Sequence, residues 1–139
     1  MIRAVIVDDE PPARRRIRAL LTDERDVEVI AECRDGREAL TVIAAAQPDL
    51  VFLDVQLPET DGLAVARDVG RKAGGELPLV VFTTAHSQFA IPAFDVNAVD
   101  YLLKPFDPDR FRAAVARARE SLGVIRRGAD LAALGDPAP

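Results

Sequence analysis

The hydrophobic residues of this chain fall into short runs separated by segments with helical spacing. Five runs have the length and residue types of strands, and they cover 3–7, 27–33, 50–54, 79–83 and 100–103. Several are apolar at every position, as parallel strands covered on both faces are, whereas 27–33 is more polar and typical of an edge strand. This alternation predicts up to five helices and a doubly wound α/β fold.

Two helix starts have clear capping signals. Asp35 is followed by Glu38 in the spacing of a capping box, which predicts a helix that ends near Gln47. Asp107 precedes Pro108, and a carboxylate before a proline at the first helical position predicts the start of a long final helix. Both helices are therefore expected to be well formed.

Two segments depart from this regular pattern. A weak helical signal at 87–94 contains Pro92, which lacks the backbone donor that a helix interior uses, so we expect a short and distorted helix there. From Gly128 onward the composition turns to Gly, Ala, Asp and Pro, which is typical of a linker or disordered tail. The sequence thus predicts one domain at 1–127 and a tail at 128–139.

Composition and charge exclude several classes of protein. A net charge of −5 disfavours nonspecific DNA binding, and we interpret the basic run 14–16 as the solvated face of an amphipathic helix. The single Cys33, expected to be buried, and the single His86 cannot supply a disulfide framework or a usual zinc site. Without a bilayer-length apolar run or a secretory signal, we expect no membrane association and a cytoplasmic location.

Polar residues whose side chains can bind ligands or react stand at the carboxyl ends of four predicted strands. They are Asp8, Asp9 and Glu10, then Asp54, then Thr84, then Lys104. In an open parallel sheet these ends meet at one edge, where ligands bind. Clustered carboxylates repel one another unless a cation is present, and Mg²⁺ is usually held by a few carboxylates. The pattern therefore indicates a site for Mg²⁺ and a phosphate group.

Each residue also has a purely structural interpretation. Asp9 is equally suited to capping the first helix, Asp54 to starting a loop, and Lys104 to lying in solvent. Their coincidence at neighbouring strand ends favours a site. The chain contains neither G-x-G-x-x-G nor G-x-x-x-x-G-K-[ST], which disfavours dinucleotide binding and P-loop hydrolysis. Gln56 stands where a haloacid-dehalogenase-type phosphatase has its second aspartate, which disfavours that class of enzyme.

The order and spacing of these residues closely resemble the receiver domains of two-component response regulators. The resemblance covers about 1–125 and rests on Asp8-Asp9, Asp54, Thr84-Ala85, Tyr101 and Lys104-Pro105. The stretch 98–106 is similar to receivers of LytTR-type regulators in particular. The resemblance implies a flavodoxin-like receiver fold whose five-stranded parallel sheet has the order 2-1-3-4-5.

The resemblance also implies a phosphoacceptor and its metal. Asp54 would accept a phosphoryl group from a sensor histidine kinase. Mg²⁺ would be bound by Asp8, Asp9, Asp54 and the backbone carbonyl of Gln56. Gln56 occupies a variable position that affects how long the phosphoryl group persists.

The remaining site residues would bind the phosphoryl group and report its arrival. Lys104, commonly preceding a cis peptide bond in such receivers, would pair with a phosphoryl oxygen. Thr84 would donate its hydroxyl to the group, and Tyr101 would then rotate inward. His86 stands at a position that can tune dephosphorylation. The changed face would comprise the fourth helix, the fifth strand and the fifth helix, and would support a phosphorylation-dependent homodimer.

Several functions remain open at this level. The first is the receiver of a transcriptional regulator, with DNA bound through an output domain outside the sequence and with no enzymatic activity beyond self-phosphorylation and self-dephosphorylation. The second is a stand-alone receiver that acts through protein contacts or a phosphorelay. The third is a Mg²⁺-dependent phosphatase on the same fold. A docking module without phosphorylation is disfavoured because every site position keeps a competent residue.

Overall fold

The structure, a computed structural model, describes residues 1–72, 78–85 and 97–133 of the 139-residue chain. Within these ranges the main sheet has five parallel strands in the order β2-β1-β3-β6-β7, and β4 and β5 form a separate antiparallel ribbon. The predicted order 2-1-3-4-5 is confirmed once the ribbon is set aside. The elements are β1 Ile2–Val7, α1 Pro11–Leu21, β2 Val27–Cys33, α2 Gly36–Ala46, β3 Leu50–Asp54, β4 Gln56–Leu57, β5 Thr60–Asp61, α3 Gly62–Lys72, β6 Leu79–Thr84, β7 Asn97–Leu103 and α4 Pro108–Ala133.

The strands follow the predicted hydrophobic runs closely. Every residue of β3 and β6 is buried, whereas β2 is partly exposed and lies at the edge of the described sheet, as its polar pattern predicted. The largest difference is in β7, which begins at Asn97 rather than at residue 100. Asn97 and Ala98 extend the strand because they pair with Leu79 and Val80 of β6, although their own side chains carry no strand signal.

Hydrophobic side chains alternate between the two faces of the sheet and form one core on each. On one face, Ile6 and Phe52 pack with Ile17 of α1 and Phe111 of α4. The opposite core contains β-strand residues together with residues of α2 and α3, namely Val5, Val51, Leu53, Ala39, Ile43, Val65 and Ala66. Cys33 is buried in this second core, as predicted. The helices therefore cover both faces, as a doubly wound fold requires.

The predicted capping residues begin their helices. The carboxylate of Asp35 accepts a hydrogen bond from the backbone N–H of Glu38 at 2.8 Å, and α2 ends at Gln47 in the left-handed conformation. The carboxylate of Asp107 accepts a hydrogen bond from the backbone N–H of Arg110 at 2.9 Å in the first turn of α4. These contacts satisfy backbone donors that a helix start leaves without intrahelical partners.

Helix α4 is longer than the sequence pattern indicated, since it continues to Ala133. Arg119 attaches it to the sheet edge through two contacts with the Asp26 carboxylate at 2.6 and 2.8 Å, and Arg126 donates to the Met1 carbonyl at 3.1 Å.

The domain end at residue 127 stays a prediction. The predicted helix at 87–94 lies outside the described residues. Across the described ranges, no helix is long and apolar enough to cross a membrane.

Phe111 generates a prediction about stability. Its ring is fully buried and stacks on Phe52, with ring centroids 5.5 Å apart. Phe111→Ala should lower the free energy of unfolding by about 3–5 kcal/mol, because it removes buried area and leaves a cavity between sheet and helix. Denaturant titration followed by circular dichroism measures this loss. The control Val124→Ala, on the same helix at a side chain 57% exposed, should change stability by less than about 0.5 kcal/mol.

Candidate acidic site at the carboxyl edge of the sheet

Backbone hydrogen bonds align the strand ends that carry the predicted site residues. The N–H of Val55 donates to the carbonyl of Thr83 at 2.9 Å, which joins the end of β3 to β6. The N–H of Lys104 donates to the carbonyl of Thr84 at 2.7 Å, which joins β6 to the residue after β7. The ends of β3, β6 and β7 therefore lie side by side at one edge of the sheet.

Four carboxylates meet at this edge. One oxygen from each of Asp8, Asp9, Glu10 and Asp54 can be chosen so that all four lie within 4.8 Å of one another. Asp8 and Asp54 are buried, and Asp9 and Glu10 are exposed. The N-cap position of α1 belongs to Glu10, so the alternative in which Asp9 caps that helix is not what the structure shows. The Asp8 carboxylate accepts the N–H of Glu10 at 2.9 Å and thereby holds the turn before α1.

Lys104 is the cation at the centre of this cluster. Its Nζ lies 2.8 Å from Asp8 Oδ2, 2.9 Å from Asp54 Oδ2 and 3.6 Å from Glu10 Oε1. The peptide bond between Lys104 and Pro105 is cis, as the family resemblance implied. One ammonium group therefore offsets the mutual repulsion of the two buried carboxylates.

The burial of these groups changes their acidity. Burial raises the pKa of Asp54 above its ordinary value, the neighbouring Asp8 charge adds to this, and the hydrogen bonds from the Gln56 N–H and from Lys104 offset part of it. Burial alone would lower the pKa of Lys104, but the carboxylates of Asp8 and Asp54 more than offset that effect and the pKa is raised. Lys104 is therefore protonated, whereas Asp54 is costly to ionise.

The local backbone holds Asp54 in place. Asp54 Oδ1 accepts the N–H of Gln56 at 2.9 Å, and the N–H of Gly62 donates to the Val55 carbonyl at 2.7 Å. A Cβ added at Gly62 would collide with the Asp54 carbonyl oxygen, so only glycine allows this approach. Sequence reasoning missed Gly62, although Asp61-Gly62 is a turn signal that could have identified it.

Arg14 is a second residue that sequence reasoning missed. It was interpreted as part of a solvated basic face, but its side chain is only 15% exposed. Its Nη1 donates to the Asp8 carbonyl at 2.7 Å and its Nε donates to the Glu32 carboxylate at 3.2 Å. Arg14 therefore ties the acidic turn to β2, a contact that depends on tertiary structure and leaves no periodic signal in the sequence.

The other predicted site residues have different positions. Thr84 is buried at the end of β6, where its carbonyl accepts the Lys104 N–H. The Gln56 side chain is exposed, and its backbone N–H contacts Asp54. Tyr101 on β7 is 40% exposed. His86 lies outside the described residues. The structure thus brings together the acids and Lys104, and leaves the Tyr101 ring at the surface.

Known proteins are similar to this chain in sequence. A family model described as the response regulator receiver domain matches residues 4–116. An uncharacterized response regulatory protein of Yersinia pestis is 43% identical over 124 residues, which are 89% of this chain and 51% of that protein. The transcriptional regulatory protein BtsR of Escherichia coli K12 is 41% identical over 120 residues, 86% of this chain and 49% of that protein. The chain therefore spans about half the length of these relatives.

A solved receiver structure supports the same assignment in three dimensions. The receiver domain of AraT, a response regulator from Geobacillus stearothermophilus, superposes with a TM-score of 0.77 and is 33% identical. The match covers 90% of this chain and 98% of that one. With its parallel sheet order and the family match over most of its length, this chain belongs to the response regulator receiver domain family.

Proposed function

We propose that this receiver is switched by transfer of a phosphoryl group from a sensor histidine kinase to Asp54. The observation that supports this most is the buried Asp54 carboxylate, paired with Lys104 at 2.9 Å and surrounded by three further acids. A buried carboxylate with a raised pKa, next to a matched cation at a ligand-binding sheet edge, is typical of a functional group.

The transfer needs a carboxylate nucleophile and positive charge beside the phosphoryl oxygens. An Asp54 oxygen would attack the phosphorus of a phosphohistidine. A P–O bond forms, the P–N bond breaks, and the imidazole nitrogen leaves with the electron pair. Lys104 is already next to Asp54 and would pair with a phosphoryl oxygen after transfer. Glu10, which lies beside Lys104, is exposed, so this edge of the sheet is open to a phosphoryl donor.

The donor set fits a hard divalent cation such as Mg²⁺. Asp8, Asp9 and Asp54 supply carboxylate oxygens from one cluster, and we include the Gln56 carbonyl as the fourth protein ligand. When bound, the ion neutralises negative charge on the transferring group and orients it for in-line displacement. This chain's own residues hold the carboxylates at that position through Arg14 and through backbone donors.

The new charge at Asp54 would be read by Thr84 and Tyr101. Thr84 lies at the end of the strand adjacent to β3, and its hydroxyl would bind the phosphoryl group. Tyr101 would turn inward behind it and change the surface to which β7 and α4 contribute. Such a switch requires only that the two arrangements differ in their contacts with the phosphoryl group.

The output would be control of transcription by a LytTR-type DNA-binding domain, with a phosphorylation-dependent homodimer as the active form. One finding supports transcriptional output: the relative BtsR is named a transcriptional regulatory protein and is about twice as long as the aligned region. The LytTR type is proposed from the resemblance of 98–106 alone. We retain 1–127 as the receiver, and the helical residues to Ala133 would begin the connection to the output domain.

Phosphoryl transfer is tested by intact mass after incubation with a small acyl-phosphate donor. The wild type should gain the mass of one phosphoryl group in the presence of Mg²⁺ and none with a chelator. Asp54→Asn should gain none, while Asp23→Asn, at an exposed acid outside the cluster, should behave as wild type. A folded wild type that gains no group contradicts the proposal, and release of many phosphates per chain would indicate a phosphatase instead.

The metal ligands are tested by thermal unfolding with and without Mg²⁺. An ion that binds only the folded state stabilises it, by about 2.7 kcal/mol at 100 times its Kd. Asp8→Asn and Asp9→Asn should each abolish most of the Mg²⁺-induced rise in Tm. Glu10→Gln should retain it, because we place Glu10 outside the ligand set although its carboxylate lies in the same cluster. Loss of the effect in Glu10→Gln would reassign the ligands.

The raised pKa of Asp54 predicts how stability depends on pH. A carboxyl group whose pKa is higher in the folded than in the unfolded state contributes stability at low pH and loses that contribution as pH rises through the folded pKa. Asp54→Asn removes this loss, so the variant should be more stable than wild type at neutral pH, and the difference should shrink as pH falls toward 4. Chemical denaturation at several pH values, without Mg²⁺, measures it; a pH-independent difference would contradict it.

A further inference from the structure

An ion pair encloses the main chain of Tyr101. The backbone N–H of Tyr101 donates to Asp100 Oδ1 at 2.8 Å, and its carbonyl accepts from Arg110 Nη2 at 3.1 Å. Arg110 also contacts both oxygens of the same carboxylate, with Nη1 2.8 Å from Asp100 Oδ2 and Nη2 2.6 Å from Asp100 Oδ1. Both polar main-chain groups of Tyr101 are thus bound by one bidentate pair, which we call the Asp100–Arg110 clamp.

The position of β7 explains why these two groups need partners. Within the described sheet β7 pairs with β6 on one side and lies at the edge on the other. An edge strand presents unpaired N–H and C=O groups outward, and the N–H and C=O of one residue point to the same side. The clamp therefore replaces at Tyr101 the contacts that a further strand would make.

The charges of the clamp are firmly paired. The Asp100 side chain is only 5% exposed, and it has a second ion pair with Arg117, whose Nη1 is 3.2 Å from Oδ2. Burial alone would raise the pKa of Asp100, but the hydrogen bonds from Arg110 and the Tyr101 N–H, and the nearby arginine charges, more than offset it and the pKa is lowered. Asp100 is therefore ionised, and the clamp is closed at neutral pH.

We infer that the Asp100–Arg110 clamp is a positioning element of the switch, which fixes the main chain of Tyr101 to α4 so that the phenol ring alone moves. This inference rests on the proposed function, in which Tyr101 responds to phosphorylation of Asp54. Arg110 lies in the first turn of α4, and the Asp107 carboxylate accepts its backbone N–H. The clamp therefore joins the strand that carries the switch ring to the start of the helix on the proposed output face.

A fixed main chain makes the response of the ring specific. If the backbone at Tyr101 were free to shift, inward attraction at Thr84 could be relieved by small movements of β7 rather than by rotation of the side chain. With both main-chain groups held, rotation about side-chain bonds is the remaining low-cost motion. The change at the surface is then confined to the Tyr101 ring, while α4 keeps its position.

Tyr101 supplies its own reporter, because the chain contains one tyrosine and no tryptophan. In the unphosphorylated protein, Arg110→Gln should increase the amplitude of fast tyrosine anisotropy decay by about twofold, as the main chain loosens on the nanosecond timescale. Arg119→Gln breaks a comparable ion pair on the same helix, with Asp26, and should leave the decay unchanged. Equal effects of the two variants, or none from Arg110→Gln, would overturn the clamp.

The second measurement is iodide quenching of Tyr101 before and after formation of the Asp54 adduct. In the wild type the adduct should lower quenching by about twofold or more as the ring leaves the solvent. Arg110→Gln should form the same adduct by mass but show less than half of that change, and Arg119→Gln should keep it. A full quenching response in Arg110→Gln would show that the clamp does not position the switch.

Two further variants separate geometry from charge. Arg110→Lys keeps the charge but cannot reach both carboxylate oxygens and the Tyr101 carbonyl as a planar guanidinium does, so it should behave as Arg110→Gln. Arg117→Gln removes a charge near Asp100 without touching the Tyr101 main chain and should behave as wild type. Wild-type anisotropy decay and quenching in Arg110→Lys would overturn the proposed role of the clamp. If the wild type takes no phosphoryl group, the proposed function fails, and the anisotropy measurement still decides the clamp.

Discussion

Collecting acidic side chains at one edge of a parallel sheet is the constraint on which the rest of this structure depends. Asp8 and Asp54 are buried within reach of each other, and two like charges so close raise each other's free energy. Lys104 relieves this by contacting both carboxylates, and it does so from the residue immediately after β7. The last strand must therefore be held in register with β1 and β3, which the intervening β6 achieves.

The burial of Asp54 lowers the stability of the fold, although the proposed function needs this carboxylate. A well-packed apolar group in place of Asp54 would cost nothing to bury, whereas the carboxylate carries a raised pKa because burial opposes its charge. Arg14 and Gly62 support the same site. Arg14 holds the acidic turn to β2, and Gly62 allows the backbone to pass close to Asp54 because it has no side chain. The fold thus keeps a buried carboxylate at Asp54 at a cost that hydrophobic packing on both faces of the sheet offsets.

The sequence was sufficient for what depends on period and on strand ends. Alternating runs predicted a parallel, doubly wound sheet. The family resemblance implied its strand order, which the structure confirms and which brings Asp54 and Lys104 together. It was insufficient where structure depends on distant partners. The ribbon of β4 and β5 has two residues per strand and so shows no period, and the burial of Arg14 depends on Glu32. Helix α4 continues past Gly128 to Ala133, because the alanine-rich residues after this glycine favour continued helix, and the domain end at residue 127 stays a prediction.

Strand β7 carries the proposed switch residue Tyr101, and Lys104, the cation of the site, directly follows this strand. This placement limits how the proposed signal can travel. Lys104 is bound by two carboxylates at the carboxyl edge of the sheet, while the Tyr101 main chain is bound at the outer edge of β7 by the Asp100–Arg110 clamp. A strand held by β6 on one edge and by α4 on the other cannot move as a unit without breaking several hydrogen bonds at once. In the proposed switch, a change in the partners of Lys104 would therefore pass to the surface through side-chain rotation, and the exposed Tyr101 is the side chain that we propose for it.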